Sequence, residues 1–236
     1  MYIQLNNYKI ANEILYILKN VKDVECKPIS KLGVQKLFYL SVALAPIKDI
    51  VMSILRFQRI YRGPYSKDIQ NTLDNLVAYE LIKITSFQIL GKNNSIAYYE
   101  ISKGGVFAVE NLIRYNKEEE KHWWIRSVIM LSKLFSNHKI LENDPEYNNL
   151  DKIVRLVYKD HSFMEKFDQH GAIIDFGDKL GKTAEIIEFT KSYISNHINQ
   201  FKIYDDRALA ELIMIAFFEQ LLSNYIEDSI LDERTR

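Results

Sequence analysis

Between residues 63 and 101 the chain reads GPYSKDIQNTLDNLVAYE (63–80), LIKITSFQIL (81–90), GKNN (91–94) and SIAYYEI (95–101). Gly63-Pro64-Tyr65 is a turn signal, and Ser66 follows as a candidate N-cap with Asp68 in the first turn, where a negative charge favours the helix dipole. The spacing predicts a helix from Lys67 to Glu80: Ile69, Leu73, Leu76 and Val77 fall at i, i+4, i+7 and i+8, leaving Lys67, Gln70, Asn71 and Asp74 opposite. Leu81 to Leu90 then turns β-rich, Gly91 to Asn94 reads as a turn, and Ser95 to Ile101 is a second strand rich in Tyr and Ile. The result is a hairpin with a polar tip.

Helices flank this unit on both sides. Upstream, Tyr8 to Val21 carries Ile10, Ile14, Ile17, Leu18 and Val21 at helical spacing, and Ser30 can cap a second helix with Val34, Leu37, Phe38, Leu40, Ala43 and Leu44 on a wide apolar face. Pro46 should end or kink it, and Asp49 is expected to open a third helix with Ile50, Ile54, Leu55 and Phe57 facing inward. Downstream, Ser102-Lys103-Gly104-Gly105 leads into a helix through Val106, Val109, Leu112 and Ile113. Helix, turn, helix, hairpin and helix in that order describe a winged helix, whose hairpin is the wing.

At Lys117-Glu118-Glu119-Glu120-Lys121 the composition shifts, which places a boundary between a winged-helix domain (1–116) and a helical partner-binding domain (117–236). Trp123 to Phe135, Leu150 to Phe167, Lys179 to Phe201 and Asp205 to Ile230 each show helical periodicity without a strand signal. The expected fold class is thus mostly α with a small β-hairpin: an N-terminal winged helix followed by a helical bundle.

Composition narrows the class further. Hydrophobic residues make up 47% and charged residues 26%, the balance of a globular chain, and 8 Gly with 4 Pro leave long stretches open to helix. Cys26 is the single cysteine, the N-terminus lacks the apolar run of a secretory signal, and no uninterrupted apolar run approaches a membrane span of ~20 residues. The cytoplasm is the expected compartment, with no membrane as partner. Net charge is zero, yet residues 1–116 hold 15 Lys+Arg against 9 Asp+Glu and residues 117–236 hold 16 against 22. A basic half suits phosphate and an acidic half suits protein.

Chemistry-bearing patterns are sparse, and no cofactor or metal is expected. His122, His138, His161, His170 and His197 lack the i, i+4 spacing that sets two ligands on one helical face. Asp160-His161 and Asp168-Gln169-His170 are the best candidates for a carboxylate-assisted base, although such residues are common in loops for solvation alone. Gly181-Lys182-Thr183 matches the tail of a phosphate-binding loop, but Phe176 stands where the first glycine belongs and Ile173-Ile174 is short for a core strand. Trp123-Trp124, beside Arg126, is a candidate anchor for a protein partner; neighbouring residues on a helix point about 100° apart, so one ring is expected in the core. Candidate nucleic-acid contacts are Arg56, Arg59, Arg62 and Lys67, then Gln70 and Asn71 on the exposed helix face, and Lys92 at the hairpin tip. Because Asp68 and Asp74 share that face, reading DNA and docking protein stay open as alternatives.

Lys31-Leu32-Gly33-Val34-Gln35-Lys36-Leu37-Phe38-Tyr39-Leu40, then Arg62-Gly63-Pro64-Tyr65-Ser66, then Leu73 to Ile82 resemble a broad group of bacterial winged-helix proteins. In that group a "KLQKLLYL" helix precedes a "GPYS" turn and an "L-x-x-L-x-x-x-G-L-I" helix; Ser102-Lys103-Gly104 resembles its "T-x-K-G" step after the wing. The group includes middle components of ABC-three-component systems and antitoxin-like Panacea proteins. The helical half, with Lys152 to Asp160, looks more like the middle components, which are similar to the small subunit of Lamassu-type antiphage complexes. The resemblance implies a non-catalytic subunit that bridges an SMC-like ABC ATPase and an effector nuclease and contacts double-stranded DNA; the alternative is a free-standing DNA-binding regulator or antitoxin. Glu80 departs from the pattern, standing where glycine is frequent.

Overall fold

The computed structural model of the chain describes residues 2–54, 56–60, 63–91, 94–116, 118–138, 141, 149–165, 169–177, 182–197 and 205–234. Its elements begin with helix α1 (Tyr2–Asp23), strand β1 (Ile29–Ser30), helix α2 (Lys31–Ala43), a 3-10 turn (Ala45–Ile47), and strands β2 (Arg56–Ile60) and β3 (Gly63–Tyr65). Helix α3 (Lys67–Ala78), strands β4 (Ile82–Gly91) and β5 (Asn94–Ile101), and helices α4 (Lys103–Asn116) and α5 (Glu119–Ser136) follow. After a second 3-10 turn (Asn149–Lys152) come short helices α6 (Ile153–Val157) and α7 (His161–Met164), strand β6 (Ile173–Asp175), and helices α8 (Lys182–His197) and α9 (Asp206–Arg234). The chain is mostly helical, and its described residues form two three-stranded sheets ordered β1-β5-β4 and β3-β2-β6.

Helix α2 lies at the centre, buried on every side from Gly33 to Ala43. Ser30 caps it as read, its Oγ accepting from the Gly33 N–H, and Pro46 stands in the 3-10 turn that follows its end. A helix enclosed all round must satisfy its polar side chains inside the protein. Gln35 does so by accepting from the Ser66 N–H and donating to the Ser66 carbonyl, while Lys36 Nζ donates to the Pro64 carbonyl at 2.6 Å. The Tyr39 hydroxyl donates to the Asp160 carboxylate. Around α2 one apolar cluster joins Ile14 and Ile17 of α1, Ile69 and Leu73 of α3, Trp124 and Val128 of α5, Leu156 of α6 and Phe218 of α9. That core is continuous across residue 117.

The third helix expected from Asp49 does not form. Asp49 takes a left-handed φ of 53°, and residues 56–60 become β2, the central strand of the second sheet. Phe57 does face inward, its ring meeting Tyr39 edge-on at 5.1 Å, but its neighbours Arg56 and Gln58 face out, which is the period of a strand. Gly63-Pro64-Tyr65, expected as a turn, is β3 and pairs with β2 from Gln58–Tyr65 to Ile60–Gly63. The all-helical second half also needs correcting. Ile173, Ile174 and Asp175 form β6 and pair with Gln58, Phe57 and Arg56, so a strand too short to stand alone is held by a partner 115 or more positions away in the chain.

Residues 67–116 follow the order helix, hairpin, helix that was read. The end of α3 is a Schellman motif: Leu81 N–H bonds the Leu76 carbonyl, Glu80 N–H bonds the Val77 carbonyl, and Glu80 sits at φ 58°. The segment expected as one helix from Leu150 to Phe167 breaks at Asp160, whose extended backbone and side chain cap α7 through the Phe163 N–H. In α9, Asp206–Asp228 is long and apolar enough to cross a membrane by length and composition, with mean hydropathy 1.3. Its buried residues Ala210, Ile213, Met214, Phe217, Phe218 and Leu221 recur at three and four, the stripe of a helix packed along one side.

Candidate partner-binding groove

Part of the polar face of α3 is engaged by neighbouring side chains. Asp74 accepts from Gln70 Nε2 at 3.0 Å and from Lys31 Nζ at 3.1 Å, and Lys31 also lies 5.9 Å from the Tyr99 ring centroid. Partial burial pushes the Asp74 carboxyl up, but the hydrogen bonds from Gln70 and Lys31 and the ammonium charge outweigh it and hold the carboxyl below its usual range. Gln70 therefore spends an amide donor inside the protein. Lys67 and Asn71 are exposed. Arg56 is exposed on β2 and pairs with Asp175 of β6 at 2.6 Å; the Arg59 guanidinium lies over the Phe163 ring at 5.2 Å. Arg62 and Lys92 lie outside the described residues. Arg56 and Arg59 thus share β2 and face partners in the second half of the chain, while Lys67 stands on α3.

The hairpin beside α3 carries the more unusual surface. A bulge between Ile84 and Ser86 adds a residue to β4, so Ile84 pairs with Tyr99 while Phe87 pairs with Ala97 and Ile89 with Ser95. Without that extra residue, alternation would send Phe87 and Ile89 to the opposite face from Ile82 and Ile84. With it, Ile82, Ile84, Phe87 and Ile89 form one row, buried at its root and increasingly open toward the tip: Ile82 is 2% exposed, Phe87 65% and Ile89 80%. A row of this kind is a contiguous apolar patch, unlike a single exposed apolar residue.

The root of the row borders a groove of about 480 Å³ between the hairpin, the start of α2 and the start of α3. Ile60, Ile84, Phe87 and Ile96 supply apolar lining, Tyr65, Tyr98 and Tyr99 supply rings, and Gln35, Gln70 and Lys31 supply polar groups. Asp151 also lines it, reaching across from the second half of the chain. Its Oδ1 accepts from the Ser30 hydroxyl at 2.8 Å, and burial pushes its carboxyl up to about 7 against the lowering effect of those Ser30 bonds. Apolar walls with a few fixed polar groups suit a protein segment that inserts side chains.

The remaining candidates have structural partners. Trp124 is fully buried, its Nε1 donating to the Ser41 carbonyl at 3.0 Å, and Trp123 is half-buried under Arg207 of α9 at 4.9 Å. One ring is in the core, as expected, and the other is covered from α9; Arg126 is exposed beside them. Asp160 is enclosed and accepts from Tyr39, the Thr183 hydroxyl and the Phe163 N–H, so burial raises its carboxyl while all three bonds oppose the rise. Asp168 lies outside the described residues; His170 is exposed. Thr183 of the Gly-Lys-Thr sequence directs its hydroxyl to Asp160 and its N–H to Ser162 Oγ, which joins α8 to α7. Among the described residues no three His, Cys, Asp or Glu side chains gather as a metal site.

No protein-family profile and no curated protein matches the chain. Its site is therefore read from its own residues. Ile84, Phe87, Ile89 and Asp151 went unread in the sequence. The apolar residues of β4 were visible as β-rich, but the bulge that aligns them depends on the register with β5, and Asp151 gains its place only through the long-range approach of the second 3-10 turn to β1.

Proposed function

We propose that this chain is a non-catalytic winged-helix subunit of a bacterial antiphage defence complex, bridging an SMC-like ABC ATPase and an effector nuclease. The observation that carries the reading is the exposed row Ile84, Phe87 and Ile89 beside an α3 face where Asp74 holds Gln70 and also Lys31 of α2. A helix that reads DNA needs free amide and guanidinium donors for base edges, whereas a docking module needs apolar area rimmed by polar groups. The class of partner rests on the resemblance carried by residues 31–40, 62–66 and 73–82. Exposed Arg56, Lys67 and Asn71, in the basic half, support an accompanying contact with double-stranded DNA.

Co-expression with the products of neighbouring genes, tagged capture and mass identification of the bound chains test the reading. The expected result is a large ATPase recovered in fixed ratio, with recovery lowered about tenfold or more by Phe87→Asp combined with Ile89→Asp. Recovery of the chain alone, as a dimer that shifts a DNA fragment with steep salt dependence lost on changing Gln70 and Asn71, overturns it in favour of a free-standing regulator or antitoxin.

A further inference from the structure

A second concavity, of about 590 Å³, opens between α1, α3 and α4. Each helix contributes one tyrosine and one asparagine to it: Tyr8 and Asn12 from α1, Tyr79 and Asn75 from the end of α3, Tyr115 and Asn111 from α4. The three rings are open to solvent, at 72%, 75% and 73% exposure. Leu15, Leu76 and Leu112 form the apolar floor. Among the described residues, none of the six tyrosine and asparagine side chains is engaged in a hydrogen bond, ion pair or ring contact within the protein. This differs from α2, where every polar side chain named above has an internal partner. Three amides and three phenols converge on one space and are left unspent.

The lining also fixes what fits. Among the described residues of the lining there is no Lys, Arg, His, Asp or Glu, so a phosphate, carboxylate or ammonium group would lose water there without meeting an opposite charge. A volume in the range of about 300–1,000 Å³ is that of a small-molecule site rather than a single water cavity. Tyrosine rings offer faces for stacking, and each asparagine amide offers two donors beside an acceptor, the complement of a flat heterocycle whose edge carries both. We propose that the cleft between α1, α3 and α4 binds an uncharged planar heterocycle of the nucleobase class, as a free base or nucleoside and not as its phosphate ester. The same base chemistry presented by a single-stranded nucleic acid would bring phosphates to a lining whose described residues include no cation for them.

Calorimetric titration of the full chain with adenosine, guanosine, cytidine and uridine tests this, each paired with its 5′-monophosphate and with a short single-stranded homo-oligonucleotide of the same base. The expected result is saturable binding of at least one nucleoside with a Kd at or below about 1 mM, and binding of its monophosphate weaker by about tenfold or more. Asn75→Leu and Tyr79→Ala, both at exposed positions, should each weaken the nucleoside by about tenfold, while Leu134→Ser on the exposed side of α5 leaves it unchanged. Melting curves of the variants confirm that they fold, and Asn111→Leu serves in place of either that does not. No saturation by any of the four nucleosides overturns the proposal. So does a monophosphate or oligonucleotide that binds as tightly as the nucleoside, or a folded variant of the cleft that binds as the original chain does.

Discussion

Glu80 sits at φ 58° in the position after the α3 cap, where its N–H closes a Schellman motif on Val77. A side chain pays a steric penalty of roughly 1–2 kcal/mol in that conformation, and glycine gives part of it back as unfolded-state entropy. Glu80→Gly is therefore expected to stabilise the chain by about 0.5–1 kcal/mol, read as a higher urea midpoint. The pattern of the resembling group had glycine there, and the backbone supplies its physical reason. Asp151 gives a prediction in pH. Its carboxyl titrates near 7 when folded and near 3.8 when not, so the folded state holds a proton that the unfolded state has released between those values. Stability drawn from this group falls as pH rises from about 4 to about 7 and is flat above that window. Asp151→Asn keeps an acceptor for Ser30 and removes the titration. Relative to the variant, the original chain should lose on the order of 4 kcal/mol or less between pH 4 and pH 8, measured by denaturant midpoints at both. A variant whose midpoint tracks the original chain across that range would show that Asp151 is ionised throughout.

Helix α2 shows why its motif has polar letters inside an apolar helix. Gln35 holds Ser66 by both backbone groups, Lys36 holds Pro64, and Gly63 at φ 90° passes so close that an added Cβ would fall 2.4 Å from the Tyr158 ring. The helix and the GPYS segment are two sides of one clasp. Gln35→Leu leaves the Ser66 N–H buried without a partner, while the Ser66 carbonyl keeps the Gln70 N–H at 3.3 Å, and should cost on the order of 1–3 kcal/mol, checked by urea denaturation monitored at 222 nm. At this scale the sequence was legible where a helix has one wet face: α1, α3, α4, α5, α8 and α9 lie within a few residues of their expected spans, apart from the extra first turn and a half of α1. It was misleading at residues 49–60, because a five-residue strand with a single inward ring carries too little pattern to be told from one helical turn. One partner strand, residues 63–65, is near but only three residues long, and the other, residues 173–175, lies outside any local window.

At the level of the whole chain, the core does not stop where the composition changes. Trp124 of α5 donates to Ser41 of α2, Tyr39 of α2 donates to Asp160 before α7, and β6 completes the sheet begun by β2. Residues 1–116 expressed alone should keep helical circular dichroism yet lose a cooperative melt, while the full chain melts in one transition. A sharp, independent transition of the 1–116 fragment would show that the first half folds by itself. The charge shift at residue 117 was legible as a difference between surfaces. It held no information about the interior, because burial of α2 by α5 and α6 depends on apolar residues that look alike on both sides.

The contacts Ser30–Asp151, Tyr39–Asp160 and Arg56–Asp175 each join positions 119 to 121 residues apart. At about 5–20 residues per second of synthesis, the second member of each pair leaves the ribosome some 6–24 seconds after the first. Throughout that interval α2 has emerged with Tyr39 and the surface that α6 later buries still uncovered. The nascent first half is thus a client for chaperones that hold apolar chains, and the yield of native protein should depend on how fast the last hundred residues are translated.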